Sequence, residues 1–256
     1  MDGEIKEAAD RLWDAMQSGQ ACAPVRDLIG EQEIAVAYKV QELNVERKLR
    51  QGRRIVGRKT GLTAKSVQTQ LGVTQPDYGM LFDDMDIPLG TEISVSTVMQ
   101  TKVEAEIAFI MGDILDTELL TSADIVASVD FAVAAIEVVG SRVKDWDIRI
   151  HDTIADNASS GVFVLGDSPR RLSEIDLRLC GMVMERRGEP ISNGAGIACL
   201  GSPVTACLWL AKAMAREGRP LNKGDIVLTG ALGPMATVAA GDAITGLGSV
   251  TAYFQD

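Results

Sequence analysis

Lys102-Val103-Glu104-Ala105-Glu106-Ile107-Ala108-Phe109-Ile110 reads as a β-strand with two carboxylates on one face. Successive strand side chains alternate sides, so Glu104 and Glu106 point one way while Val103, Ala105, Ile107 and Phe109 point the other. A second apolar run, from Phe131 to Val139, carries a third carboxylate, Glu137, among residues that belong in a core. Carboxylates placed in apolar strands are costly unless they are paired, protonated or bound to a metal. An all-oxygen set of this kind suits a hard divalent cation such as Mg2+ or Mn2+. Ion pairs with Lys102 and Arg142, or a solvated sheet face, would account for the same three residues. The strands alone leave these readings open.

Upstream of this strand the texture changes twice. Ile5, Ala8, Ala9, Leu12, Trp13 and Met16 recur at helical spacing over 4–17, and Ile34, Ala37, Tyr38, Val45 and Leu49 do so over 31–50, where Gly52 ends the run. This predicts an N-terminal helical lobe over 1–52 and a β-rich domain over 53–256. Strands are expected over 53–58, 92–96, 102–111, 131–139, 161–165, 177–186, 225–229 and 249–254. Thr121 and Asp124 form a capping box opening a helix over 122–129. Ser202-Pro203 opens another that runs to about 216, before Gly218. Thr63 caps a short helix over 63–71. Strands with few helices and many glycine turns predict an α+β fold with a largely β core.

Bulk properties narrow the chemistry. The chain has 256 residues, 46% hydrophobic and 24% charged, as in ordinary globular proteins. A net charge of -11 argues against a nucleic-acid partner, which needs a basic surface. The four cysteines form no C-x-x-C pair, so neither a zinc site nor a disulfide framework is expected. No basic, apolar leader and no apolar run of membrane-spanning length stand out, and the expectation is a cytoplasmic protein without membrane contact. His151 is the only histidine, which excludes a His-rich metal site within one chain. No G-x-S-x-G elbow accompanies it for a Ser-His-Asp triad. Acid–base work falls to carboxylates and lysines.

Other motifs are weaker taken singly. Gly52-Arg53-Arg54-Ile55-Val56-Gly57-Arg58-Lys59-Thr60 nearly matches a phosphate-binding loop, but Arg58 stands where that loop needs lysine and Ile55-Val56 reads as strand. The glycines of 194–201 have the wrong spacing for a dinucleotide fingerprint and read as turns. Lys59 ends a strand and can reach a site built on the sheet, or it is a surface lysine. Asp77 in Gln75-Pro76-Asp77-Tyr78-Gly79 and the polar loop Asp156–Gly161 both read as turn chemistry.

Taken together, these segments change the picture. Gly57-Arg58-Lys59-Thr60-Gly61-Leu62-Thr63, Gln75–Gly79, Lys102–Ile107, Ala135–Ser141, Ala155–Gly161 and Leu228-Thr229-Gly230-Ala231-Leu232-Gly233-Pro234 resemble the 2-keto-4-pentenoate hydratases of the fumarylacetoacetate-hydrolase superfamily, in order and spacing, from about Ala23 to Phe254. The resemblance implies that superfamily's mixed β fold and an Mg2+ or Mn2+ site on Glu104, Glu106 and Glu137. It implies proton handling by Lys59 and Asp77, with Leu62, Ser160 and Thr229 at the substrate. The implied reaction is hydration of 2-hydroxypenta-2,4-dienoate to 4-hydroxy-2-oxopentanoate in the breakdown of aromatic compounds. A homo-oligomer and a complex with 4-oxalocrotonate decarboxylase are implied as well. That decarboxylase, a sibling with the same ligands, is the nearest alternative. A non-catalytic partner subunit of it is another. Trp146 and Leu232-Gly233-Pro234 look like the hydratase version. The segment 239–249 is shorter than the family pattern, which bears on the C-terminal hairpin.

Overall fold

In the computed structural model, which describes residues 2–65, 68, 69, 73–246 and 250–256, the strand quoted above runs from Lys102 to Met111. It lies near the middle of a sheet containing β1 (Ile55–Gly61), β2 (Asp77–Phe82), β4 (Lys102–Met111), β5 (Val129–Val139), β6 (Val162–Leu165) and β9 (Ile226–Leu228), in the order β2-β1-β9-β4-β5-β6. The short β10 (Ala236–Thr237) also pairs with β4. A second sheet orders β3 (Glu92–Ser94), β12 (Val250–Gln255), β11 (Ala243–Gly246), β7 (Gly181–Arg186) and β8 (Glu189–Ala195) as β3-β12-β11-β7-β8. It meets the first sheet where β12 and β11 approach β5 and β6. The large side chains of Phe82, Phe109, Phe163 and Ile136 are fully buried in the main core.

Helices α1 (Asp2–Ser18), α2 (Arg26–Ile29) and α3 (Ile34–Arg50) form the N-terminal layer. Their apolar faces supply Ile5, Ala8, Leu12, Val36 and Val40 to a second cluster that also takes Val143, Ile150 and Ile154. The last two belong to α5 (Ile150–Ala155), which follows the short α4 (Ser122–Ser128). Burying one such side chain contributes about 1.5–3 kcal/mol, so several of them fix the helices against the strand-bearing part. This cluster draws on helices before residue 52 and on Val143, Ile150 and Ile154 after it.

Several sequence expectations shift. The Gln75–Gly79 turn is mostly strand, because Asp77–Phe82 is buried throughout and pairs antiparallel with β1. Gly194 and Ala195 complete β8 instead of forming a turn. Of the helix expected over 63–71, Lys65, Gln68 and Thr69 are helical, and the rest is coil at Thr63 and Ala64 or lies outside the described residues. The C-terminal hairpin pairs β11 with β12, while 247–249 lie outside the described residues. Among the described residues, Gly196–Arg216 is one segment long and apolar enough to cross a membrane by length and composition, contrary to expectation. Its helix α6 (Pro203–Arg216) buries Ala206, Cys207, Leu210 and Met214 in the main core. Ser202 caps it through the Val204 N–H at 3.3 Å, as the sequence predicts.

Candidate metal centre

Strand register assembles the site. Glu104 stands opposite Glu137 across the β4–β5 ladder, and Glu106 stands opposite Ala135. Paired residues share a face, as do alternate residues of one strand. Leu228 of β9 pairs with Ala108 on one side and Lys59 on the other, and Gly61 of β1 pairs with Asp77. Following the ladder across five strands therefore puts Asp77, Lys59, Glu106, Glu104 and Glu137 on the same face. Gly61 and Gly79 occupy that face beside Lys59 and Asp77. A methyl group at Gly61 would lie 2.2 Å from Asp77 Oδ1, and one at Gly79 would lie 2.3 Å from the Asn157 carbonyl. Glycine at both places makes room for the carboxylate and the loop.

One carboxylate oxygen from each of Glu104, Glu106 and Glu137 falls within 4.8 Å of the others. The Gly230 N–H donates to Glu106 Oε2 at 2.8 Å. Cys199 Sγ donates in turn to the Gly230 carbonyl at 2.9 Å. Glu106 Oε1 and Glu137 Oε2 are buried without a hydrogen-bond partner. Lys102 acts on Glu104 through its field rather than by direct ion pairing, and Arg142 is engaged elsewhere. The Lys102 ammonium stacks on the Trp146 ring at 4.1 Å, and Arg142 pairs with Asp156. The nearest counter-charge is Lys59, whose Nζ lies 2.8 Å from Glu137 Oε1 with both side chains buried. Three carboxylates facing one ammonium leave an excess of negative charge. Buried, unpartnered oxygens with no soft donor among the three ligands fit a hard divalent cation.

Electrostatics follow from the same geometry. Burial raises the Glu104 carboxyl to about 7 against the opposing field of Lys59, although part of its side chain still meets solvent. Burial raises Glu106 well above the ordinary carboxylate value, and Glu137 and Glu104 add to the effect. Burial raises Asp77 to about 6, with Lys59 opposing. Asp77 lies beside the Thr153 hydroxyl, yet neither of its oxygens makes a hydrogen bond of ordinary geometry. Burial alone would discharge Lys59, but Glu137, Glu104 and Glu106 hold its pKa above the usual lysine value.

These shifts carry a pH signature. Carboxyls raised in the folded state stabilise the cation-free fold while they are protonated. That contribution is lost as pH climbs from the unfolded value of about 4.3 through about 7. A divalent cation replaces those protons, so its stabilisation grows over the same window. The melting-temperature rise caused by saturating Mg2+ should be larger at pH 8 than at pH 5.5. Equal rises at both pH values would contradict the assignment.

Lys59 Nζ also donates to the Ala158 carbonyl at 2.9 Å. That carbonyl belongs to a turn in which Asn157, Ala158 and Ser159 all have φ between 53° and 57°. An L residue there costs roughly 1–2 kcal/mol, so neighbouring bonds must offset three in succession. Asn157 exchanges two bonds with the Met80 backbone, at 2.8 and 2.9 Å. Arg142 holds Asp156 and the Ser160 carbonyl. Sequence reading offers Arg142 only as a counter-charge and Asp156 only as turn chemistry, and it gives Gly230 no role of its own. The Asn-Ala-Ser run before a strand was the available signal, because Asn is enriched at positive φ.

The three expected substrate residues are less alike. Ser160 adjoins the turn and donates its hydroxyl to the Asn157 carbonyl at 2.7 Å. Thr229 donates to the Ile107 carbonyl at 2.8 Å and ties β9 to β4 behind Glu106. Leu62 directly follows β1 at φ 55° and packs partly against the helical cluster. Leu232 is buried and its N–H donates to the Ala105 carbonyl between the two glutamates. The charged groups acting on buried His151 are Glu31 and Asp152, not the glutamates. The roomy cavity of about 470 Å³ lies elsewhere, between α1, α3 and the turn. Its walls include Trp13, Phe82, Arg142, Asp156 and Ser160 but none of the five clustered residues. Buried charge, not cavity size, locates the chemistry.

Three convergent glutamates beside a buried lysine could together hold a cation on this sheet. The chain belongs to the fumarylacetoacetate hydrolase family, whose C-terminal model matches residues 54–255. It is 60% identical over 256 residues to the "TodF product hydratase" of Pseudomonas putida strain F1, covering 98% of this chain and 96% of that one. It is 51% identical over 254 residues to the 2-keto-4-pentenoate hydratase of Paraburkholderia xenovorans strain LB400, covering 98% and 94%. The 4-oxalocrotonate decarboxylase of Pseudomonas putida G7, solved with magnesium and adipate, superposes with a TM-score of 0.94 at 34% identity, covering 99% of this chain and 98% of that one.

Proposed function

We propose that the chain is a divalent-cation-dependent hydro-lyase that converts 2-hydroxypenta-2,4-dienoate to 4-hydroxy-2-oxopentanoate. The convergence of Glu104, Glu106 and Glu137 beside Lys59 and Asp77 carries this reading. The hydratase relatives, at 51–60% identity, favour hydration over the decarboxylation named for the 34% identical structure. Glu104, Glu106 and Glu137 would hold Mg2+ or Mn2+, which would supply Lewis-acid counter-charge to the anionic substrate.

The chain's own residues handle protons and position. The substrate's 2-hydroxyl loses a proton as C5 gains one, giving a 2-oxo-3-enoate. Water then adds its oxygen at C4 while C3 receives a proton. Asp77, with its pKa raised to about 6, is suited to pass these protons near neutrality. Lys59, kept cationic by the glutamates, stabilises negative charge developing along the conjugated system. Leu62, Ser160 and Thr229 shape the pocket in this account. Ser160 and Thr229 do so with hydroxyls already engaged to backbone carbonyls, which fixes their orientation.

On the same reading the enzyme works in the cytoplasm on a small 2-hydroxy-dienoate, as a homo-oligomer able to associate with the decarboxylase. The four free cysteines are consistent with that compartment. The test is purified protein supplied separately with 2-hydroxypenta-2,4-dienoate and 4-oxalocrotonate at matched enzyme and Mg2+. Rapid hydration with little CO2 is expected. Faster CO2 release than hydration would move the assignment to the decarboxylase, and turnover of neither would point to the partner subunit.

A further inference from the structure

We propose that Arg142 and Asp156 are a positioning pair that sets the Lys59 ammonium through the left-handed turn, a role resting on the hydratase reading above. The turn reaches the lysine through the Ala158 carbonyl, which accepts from Lys59 Nζ at 2.9 Å. A single guanidinium grips both ends of this turn. Arg142 Nε donates to Asp156 Oδ1 at 2.5 Å and Nη2 donates to the Asp156 carbonyl at 2.7 Å. Nη1 donates to the Ser160 carbonyl at 2.9 Å, on the other side of the turn. The Arg142 N–H adds a bond to Asp156 Oδ2 at 3.0 Å. Both side chains are buried.

The pair has a directional logic. Arg142 lies three residues beyond β5, the strand that carries Glu137, so one short segment of chain bears both a glutamate and the brace for the lysine facing it. Arginine suits the task because its planar fork reaches several acceptors in fixed directions, whereas a lysine has a point charge on a flexible stem. Without the brace the turn keeps its Asn157–Met80 bonds but loses the ties at its two ends, and the Ala158 carbonyl between them shifts from Lys59. The lysine then retains Glu137 but loses the contact that fixes its angle. Small misplacements of a reacting group can cost about 10²-fold in rate.

The test compares Arg142→Lys, Arg142→Ala and Asp156→Asn with wild type, measuring kcat, KM and Mn2+ affinity. In the variants kcat is expected to fall about 10–100-fold, with KM and Mn2+ affinity within about threefold. The cavity bordering Arg142 gives small solutes an approach from the lobe side, so added guanidinium should restore part of the kcat of Arg142→Ala. An arginine that merely braced the fold would lower melting temperature and active fraction, leave kcat per active site unchanged and ignore guanidinium. That result overturns the proposal. Loss of near-ultraviolet circular dichroism in all three variants assigns the pair to folding and also overturns it. If wild type fails to hydrate the dienoate, the hydratase reading falls and the pair is judged by a crystal structure of Arg142→Lys. A Lys59 still bonded to the Ala158 carbonyl there counts against the pair, and a displaced Lys59 supports it.

Discussion

Lys59→Ala is expected to lower turnover by about 10²–10⁴-fold, the usual range for loss of a positioned acid or base. The ammonium it removes is buried, ion-paired to Glu137 and bonded to the Ala158 carbonyl. A lysine meant for solvent would sit in none of these contacts, and its removal would leave the rate near wild type. The same substitution takes the nearest counter-charge from three carboxylates. Breaking a buried pair destabilises by about 3–5 kcal/mol, so the cation-free variant should melt below wild type. A divalent cation supplies the missing charge, and the melting deficit should narrow when it is added. A deficit unchanged by the cation would mean that the glutamates do not share one.

Glu106→Gln is expected to weaken Mg2+ binding by at least about 10–100-fold, a loss already associated with partners one shell beyond a metal ligand. Turnover should fall with it, as it should in wild type stripped by a chelator, and Mg2+ or Mn2+ should restore the stripped wild type. Glutamine is nearly isosteric and its oxygen can keep the bond from the Gly230 N–H, so the fold should survive. The substitution also removes a carboxyl that burial and its neighbours drive toward protonation. The cation-free variant should therefore melt at the wild-type temperature or above it. Unchanged Mg2+ affinity, by isothermal titration, would contradict a ligand role for Glu106.

The legible part of the fold was the part set by local pattern. The strand 102–111 has the bounds expected from alternation, and the Thr121–Asp124 capping box opens its helix as the residue types require. The common face of Glu104 and Glu106 followed from strand periodicity alone. That Glu137 joins them depends on the β4–β5 register, a long-range fact. Asp77–Phe82 escaped because Pro76 and Gly79 look like turn punctuation, while its partner β1 and its burial are tertiary. Helix α5 escaped because all six of its residues are buried, which leaves no amphipathic stripe to read. Gly230 offers a backbone N–H, a group every non-proline residue owns, so only the fold reveals its use. Arg142 was weighed as a counter-charge for the glutamates and instead serves Asp156, a choice made by packing.

The hydratase reading requires Glu104, Glu106 and Glu137 to hold one hard cation beside Lys59. Anomalous scattering at the manganese edge, from crystals of the protein grown with Mn2+, tests it directly. One strong peak bounded by carboxylate oxygens of all three glutamates is expected, and none at that place in Glu106→Gln crystals at the same Mn2+ concentration. A peak elsewhere, with the three carboxylates bonded only to protein or water, would contradict it.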